Sequence, residues 1–175
     1  GDISDWKHQV EAFSPPYRVL VSDQRGHGRS EAPPGVSELH RPDALPDVLP
    51  RGDFVIVTVP ETPETQGMFA SAQFSLMKPS AFFINIGRGA TVILDDLVGA
   101  LDSGQIAGAG LDVFQVEPLP ADHPMWTAPG VLITPHVAGR GPYLDERRTE
   151  LFIDNCLRFN EGRRLRNIVD KARWF

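Results

Sequence analysis

Four short apolar runs, FVIVTV (54–59), AFFINIG (81–87), AGAGLDVF (107–114) and VLITPH (131–136), punctuate the chain, with helical or irregular stretches between them. Runs this short and this continuously apolar predict strands buried on both faces. Strands separated by helices predict a mostly parallel sheet with helices on both sides. FVIVTV is bounded by Gly52 and Pro60, which sets its limits. In TVILDDLVGALDSG, Leu94, Leu97, Val98 and Leu101 recur at helical spacing and Gly104 supplies the stop. Residues 144–160 read as another helix, with Leu144, Leu151, Ile153, Cys156, Leu157 and Phe159 as its apolar content. ALPDVL (44–49) suggests a brief helix, and 62–77 one or two helical pieces. Upstream, DWKHQVEAF (5–13) reads as a helix closed by Pro15 and Pro16, and YRVLVSD (17–23) as a strand leading into a Pro- and Gly-rich loop. The predicted fold class is α/β.

A net charge of −6 argues against a nucleic-acid or anionic-membrane surface, which needs clustered Lys and Arg. The one basic cluster, EGRRLRN (161–167), follows a predicted helix and is expected to face water. FVIVTV is the longest apolar run and is far too short to span a bilayer, and no signal peptide is visible. Cys156 is the single cysteine, which excludes an internal disulfide and fits a cytoplasmic location; its apolar setting predicts a packed thiol. No metal-ligand spacing appears. The chain begins with Gly1 rather than Met, which suggests a fragment of a longer product.

Ligands of parallel α/β sheets sit beyond the carboxyl ends of the strands, so the polar residues just after each run are the ones to inspect. These are Asp23, residues 60–65, Arg88, residues 112–117 and His136. Arg88, flanked by Gly87 and Gly89, can present a planar guanidinium to a carboxylate. A glutamate such as Glu117 beside His136 would favour the imidazolium. An anion anchor plus a His–Glu pair suits reduction of a 2-keto acid, with histidine protonating the carbonyl oxygen. Spacing alone leaves open a structural arginine at a turn, a surface glutamate and a histidine in a Pro-His loop.

NIGRGA, LDDLVGAL, SGQIAGAGLDVF, VEPLP, HPMW and LITPHVAG follow one another in this order, preceded by VTVPETPETQGMF (57–69) and followed by NIVD (167–170). Together they closely resemble the D-isomer-specific 2-hydroxyacid dehydrogenase family over roughly residues 36–175. The resemblance implies a Rossmann-like sheet and NAD- or NADP-dependent interconversion of a 2-keto acid and a D-2-hydroxy acid. It implies that Arg88 binds the substrate carboxylate, Glu117 orients the histidine, and His136 is the acid/base. It also places Asp112 near the nicotinamide carboxamide, Pro60 and Thr65 on the adenosine side, and Ala138 and Gly139 beside the nicotinamide. Ile86, Gly87 and Arg88 join the cofactor-facing set, and a homodimer through the cofactor domain becomes a possibility. His8, His27, His40 and His123 match no family role and are expected on the surface or in loops.

The first βα unit with its G-x-G-x-x-G fingerprint is missing. GHGRSE (26–31), GRGATV (87–92) and GAGLDV (108–113) each lack the third glycine. Residues 1–35 resemble instead an early segment of an α/β-hydrolase, in which a strand ends in D-x-R-G-H-G-x-S. No G-x-S-x-G elbow follows, so a hydrolytic nucleophile is not expected. The segment can still supply the helix, the strand and the terminal acid, Asp23, of a second βα unit reaching the ribose hydroxyls. Arg25 and Arg29 nearby suit a 2′-phosphate, which leaves NAD and NADP both open.

The expected organisation is therefore a hydrolase-like segment (1–35), a partial dinucleotide-binding domain (36–140) and a C-terminal helix and tail (141–175). Without the phosphate cradle and most of a substrate domain, weak or no turnover is expected of the chain alone. The alternatives are a catalytically dead nucleotide-binding or dimerising domain, and a hydrolase fragment without its nucleophile.

Overall fold

The computed structural model describes residues 38, 40–169 and 171. The helix expected over 5–13, the strand over 17–23 and Asp23 lie outside the described residues. Four strands form one sheet: β1 (Phe54–Val57), β2 (Phe82–Asn85), β3 (Gly108–Leu111) and β4 (Val131–Ile133). They pair in parallel in the order β1-β2-β3-β4. Each strand is shorter than the apolar run that contains it, and the polar or glycine-bearing remainder becomes a loop at the carboxyl edge. The register keeps these loops in step, since Val57 pairs with Asn85, Asn85 with Leu111, and Leu111 with Ile133.

The brief helix expected over 44–49 is α1 (Leu45–Val48), extended by 3-10 turns at Pro42–Ala44 and Leu49–Arg51. Within 62–77 one short helix forms, α2 (Ser71–Phe74). Its first amide, that of Ser71, donates to Asp96 Oδ2 at 2.8 Å. Asp96 belongs to α3 (Leu94–Asp102), where Asp95 and Asp96 place negative charge in the first turn, favourable against the helix dipole. Gly104 ends this helix at φ +69, as its position predicts. The fourth helix, α4 (Leu144–Asn160), matches the expected span.

One face of the sheet packs against α2 and α3. Phe83 and Phe74 are fully buried and meet edge to face with centroids 5.2 Å apart, while Phe69 lies 5.0 Å from Phe83. Leu97, Leu101, Met77 and Met125 belong to the same core. The other face departs from expectation. Val57 is 4% exposed, but Phe54 and Ile56 are 47% and 46% exposed, and Phe82 and Leu132 are exposed as well. The reason is topological. Successive right-handed crossovers between neighbouring strands in the order 1-2-3-4 all return over the same face. Residues 54–133 therefore place no helix on the opposite side.

Cys156 is a second correction: it is exposed, not packed. No residue of α4 is buried, and Phe152, Ile153, Leu157 and Phe159 all stand exposed on it. Helical periodicity marks an apolar stripe without saying what covers it. The basic cluster after α4 faces water as expected, with Arg158 and Arg166 both pairing Asp154. The Arg158 guanidinium in particular holds the Asp154 carboxyl below its ordinary range. No helix among the described residues is long and apolar enough to cross a membrane.

Candidate active site

Because the strand ends are in register, the residues that follow them form a row along the carboxyl edge. Asp112, just after β3, is 2% exposed, and its backbone amide donates to Asn85 O at 3.0 Å. Its carboxylate gathers the loop after β4. Oδ1 accepts from the Thr134 hydroxyl and from the Val137 amide at 2.9 Å, and Oδ2 accepts from the Ala138 amide at 2.8 Å. Burial, the largest single influence, pushes the Asp112 carboxyl upward. The Thr134 hydroxyl and the two amides together outweigh it, so the net displacement is downward and the group is ionised.

His136 lies inside the turn so held, with φ 54, in the left-handed region that a β-carbon disfavours. Its Nδ1 is 2.7 Å from Glu117 Oε2. Glu117 is placed by the loop after β3, where its Oε1 accepts from the Phe114 amide at 2.9 Å and its bond to Pro118 is cis. The hydrogen bond from His136, followed by that from the Phe114 amide, holds the Glu117 carboxyl below its ordinary range. An ionised carboxylate only accepts, so His136 Nδ1 carries the proton of this bond and Nε2 is left to exchange protons with a ligand.

Arg88 follows β2, and its exposed side chain donates from Nη1 to Gly87 O at 2.7 Å. The loops of Arg88 and Glu117 are pressed together at Gly89. A β-carbon there would sit 1.9 Å from Phe114 C, so no side chain fits. Arg88, Glu117 and His136 thereby line one open cleft of about 630 Å³, shared with Glu61, Gln66 and Gln115.

Other expected positions take their places around it. Pro60 and Thr65 are joined by a 2.7 Å hydrogen bond from Thr65 Oγ1 to Pro60 O. Thr65 also lines a second cavity of about 210 Å³, whose walls include Leu45, Val48, Leu49, Val59 and Met68. An apolar slot beside the β1 carboxyl end has the chemistry to take a flat nucleotide base. At its rim, Glu38 pairs with Arg51 and His40, and the Arg51 bond chiefly lowers the Glu38 carboxyl to about 2. Ile86 donates its amide to Val57 O at 3.1 Å, and Gly87 donates to Asn85 Oδ1 at 3.0 Å. Ala138 is tied to Asp112, and Gly139 is exposed just beyond it. Ile86, Gly87, Ala138 and Gly139 share this edge of the sheet but do not line the larger cleft. His123 sits in a loop, where its Nδ1 accepts from the Met125 amide at 3.1 Å.

Sequence reasoning missed Asn85, Thr91 and Thr134 as parts of this edge. For Asn85 and Thr134 the available signal was a polar residue ending or following an otherwise apolar strand, in FFIN and VLIT; Thr91 carried no such signal.

The family model described as the D-isomer specific 2-hydroxyacid dehydrogenase, NAD binding domain, matches residues 17–138. The match begins upstream of residue 36 and takes in the YRVLVSD run. The glyoxylate/hydroxypyruvate reductase A of Photorhabdus laumondii is 39% identical over 135 residues, covering 77% of this chain and 42% of that protein. The glyoxylate/hydroxypyruvate reductase B of Citrobacter koseri is 40% identical over 126 residues, covering 72% and 39%. The chain thus spans less than half the length of these relatives. Among solved structures, the NADPH-dependent glyoxylate/hydroxypyruvate reductase of Sinorhizobium meliloti with NADP and sulfate aligns at a TM-score of 0.83 and 32% identity, over 98% of this chain and 53% of that one. A D-isomer specific 2-hydroxyacid dehydrogenase from Xanthobacter autotrophicus with NADPH and MES aligns at 0.81 and 36% identity, over 91% and 63%.

Proposed function

We propose that this chain, which belongs to the D-isomer specific 2-hydroxyacid dehydrogenase family, carries the proton-transfer and carboxylate-binding half of a reductase for small 2-keto acids. The observation that carries the proposal is the 2.7 Å Glu117–His136 pair opening on the same cleft as Arg88. Among the described residues lining that cleft, Arg88 is the one with a fixed positive charge, which suits it to a substrate carboxylate. His136 Nε2 gives its proton to the carbonyl oxygen in reduction and takes it back from the hydroxyl in oxidation. Glu117 holds the ring by its Nδ1–H and balances the imidazolium charge. A bound nicotinamide nucleotide supplies or accepts the hydride at the carbonyl carbon.

The reductases named above support glyoxylate and hydroxypyruvate as substrates, and the solved relatives holding NADPH or NADP support NADP(H) as the nucleotide. The apolar cavity beside Thr65 fits the adenosine end. The family match starts at residue 17 and so includes the run ending at Asp23.

The test is a single-turnover reaction at high protein concentration with NADPH and glyoxylate, following glycolate by NMR. Slow glycolate formation that His136→Ala abolishes is expected. Calorimetric NADPH binding without any glycolate would instead favour a domain that only binds nucleotide, and formation unaffected by His136→Ala would overturn the assignment of the acid/base.

A further inference from the structure

Asn85 closes β2 on the covered face of the sheet, two residues after the fully buried Phe83, and is itself only 1% exposed. Core packing alone asks for an apolar side chain at such a place, because a buried carboxamide has to find partners for every donor and acceptor it brings. Its partners all belong to the loop that carries Arg88. Oδ1 accepts from the Gly87 amide at 3.0 Å, and Nδ2 donates to Arg88 O at 3.0 Å and to Thr91 Oγ1 at 3.3 Å. Thr91, also fully buried, donates its hydroxyl to the same Arg88 carbonyl at 2.7 Å and its amide at 3.2 Å. The Arg88 carbonyl thus gathers three donors, while the amide of the preceding residue is held by the other end of the same carboxamide. Gly87 is pressed against β1's trailing loop, where a β-carbon would lie 2.8 Å from Val59 O. The Arg88 side chain, by contrast, is exposed. The order in this loop is therefore built from below, through the backbone.

We propose that Asn85 is the positioning residue for Arg88: its carboxamide brackets residues 87 and 88 and fixes the Cα from which the guanidinium reaches a substrate carboxylate. The inference rests on Arg88 being the carboxylate anchor of the proposed reductase. Asn85 is buried and lines neither of the two cavities described above. Its effect is geometric, and small displacements of an anchoring group have large consequences for binding and orientation.

The experiment uses the ¹⁵N-labelled full 175-residue chain and its Asn85→Asp variant, which keeps the Oδ1 acceptor and loses the amide donor. The heteronuclear NOE reports ordering of the 87–89 amides. The Arg88 Nε–H resonance is followed during titration with oxamate, a non-reducible mimic of a 2-keto acid. In folded Asn85→Asp, the NOE is expected to fall at 87–89 and not in β1–β4, with oxamate affinity at Arg88 weakened on the order of tenfold or more. A merely structural contribution would lower the unfolding midpoint while leaving the oxamate response of the folded protein unchanged. Wild-type ordering at 87–89 in the folded variant overturns the proposal. If Asn85→Asp does not fold, Thr91→Val removes the neighbouring donor to Arg88 O, and the same two readings decide. An Arg88 resonance that ignores oxamate in the wild type overturns the anchor reading, while the NOE still decides whether Asn85 orders the loop.

Discussion

Glu117 Oε2 lies 2.7 Å from His136 Nδ1 although the two residues are held by different loops, after β3 and β4 respectively. Glu117 is oriented by the Phe114 amide, and His136 by the Asp112 clamp on the residues either side of it. Both members of the pair are therefore held from the backbone before a ligand arrives, as general acid–base work requires. His136→Ala is expected to lower turnover by about 10²- to 10⁴-fold. Glu117→Gln should cost less, because the amide oxygen still accepts the Nδ1–H bond while the charge is gone. Single-turnover rates for the two variants check the order; a larger loss in Glu117→Gln would contradict these roles.

Asp112 and Glu117 both have carboxyls lowered in the folded state. A depressed carboxyl stabilises the fold above its unfolded pKa, and that contribution disappears as pH falls through the folded value. For Asp112 the window thus opens near the ordinary value of 3.8 and extends below it. Asp112→Asn should cost about 1–3 kcal/mol at neutral pH, since it removes the charge from three hydrogen bonds. Urea unfolding of wild type and variant from about pH 7 to about pH 2 is expected to show this gap closing at the acid end. A gap that widens with acid would mean the wrong sign.

Gly89 meets the Phe114 carbonyl carbon so closely that Gly89→Ala must push the Arg88 and Glu117 loops apart. Overpacking of this kind costs about 1–3 kcal/mol. The separation should also widen the gap between Arg88 and the Glu117–His136 pair, so that, on the proposed function, activity should fall by more than the lost stability explains. Urea midpoints together with rates measured on fully folded protein separate the two effects.

Gly99 offers the opposite case. It lies within α3, and a β-carbon there would meet nothing within 4 Å. Gly99→Ala is expected to stabilise the protein by about 0.5–1 kcal/mol through helix propensity, with rates unchanged. Thermal unfolding measures it, and a lower midpoint would show that the helix is constrained in some other way.

Local pattern was sufficient for the four strands and the longer helices of the described residues. The apolar runs placed β1–β4, and the 144–160 periodicity placed α4 with its end residues. Arg88, Glu117 and His136 were legible because each follows an apolar run at the same edge of a parallel sheet, and the structure draws them to one cleft. Burial was not legible. The FVIVTV run looks equally apolar on both sides, yet Ile56 is half exposed and Val57 is not. Cys156 in the same way sits in an apolar stripe that α4 leaves open. Which face is covered depends on where crossovers return, and that is a property of the whole sheet.

The sequence by itself determined the strand–helix alternation, the parallel sheet and the polar candidates at its carboxyl edge, because those follow from periodicity and from side-chain type, while the roles expected of Arg88, Glu117 and His136 came from the motif resemblance. Tertiary structure alone decided what holds them. Asn85 beneath Arg88 is a contact made within one loop at ångström distance, and Asp112 across to Val137 and Ala138 and Gly89 against Phe114 are made between loops that the sheet brings together. Hydrogen bonds and steric contacts act only at such distances, so a buried polar residue or a glycine takes its meaning from the neighbour that folding brings to it.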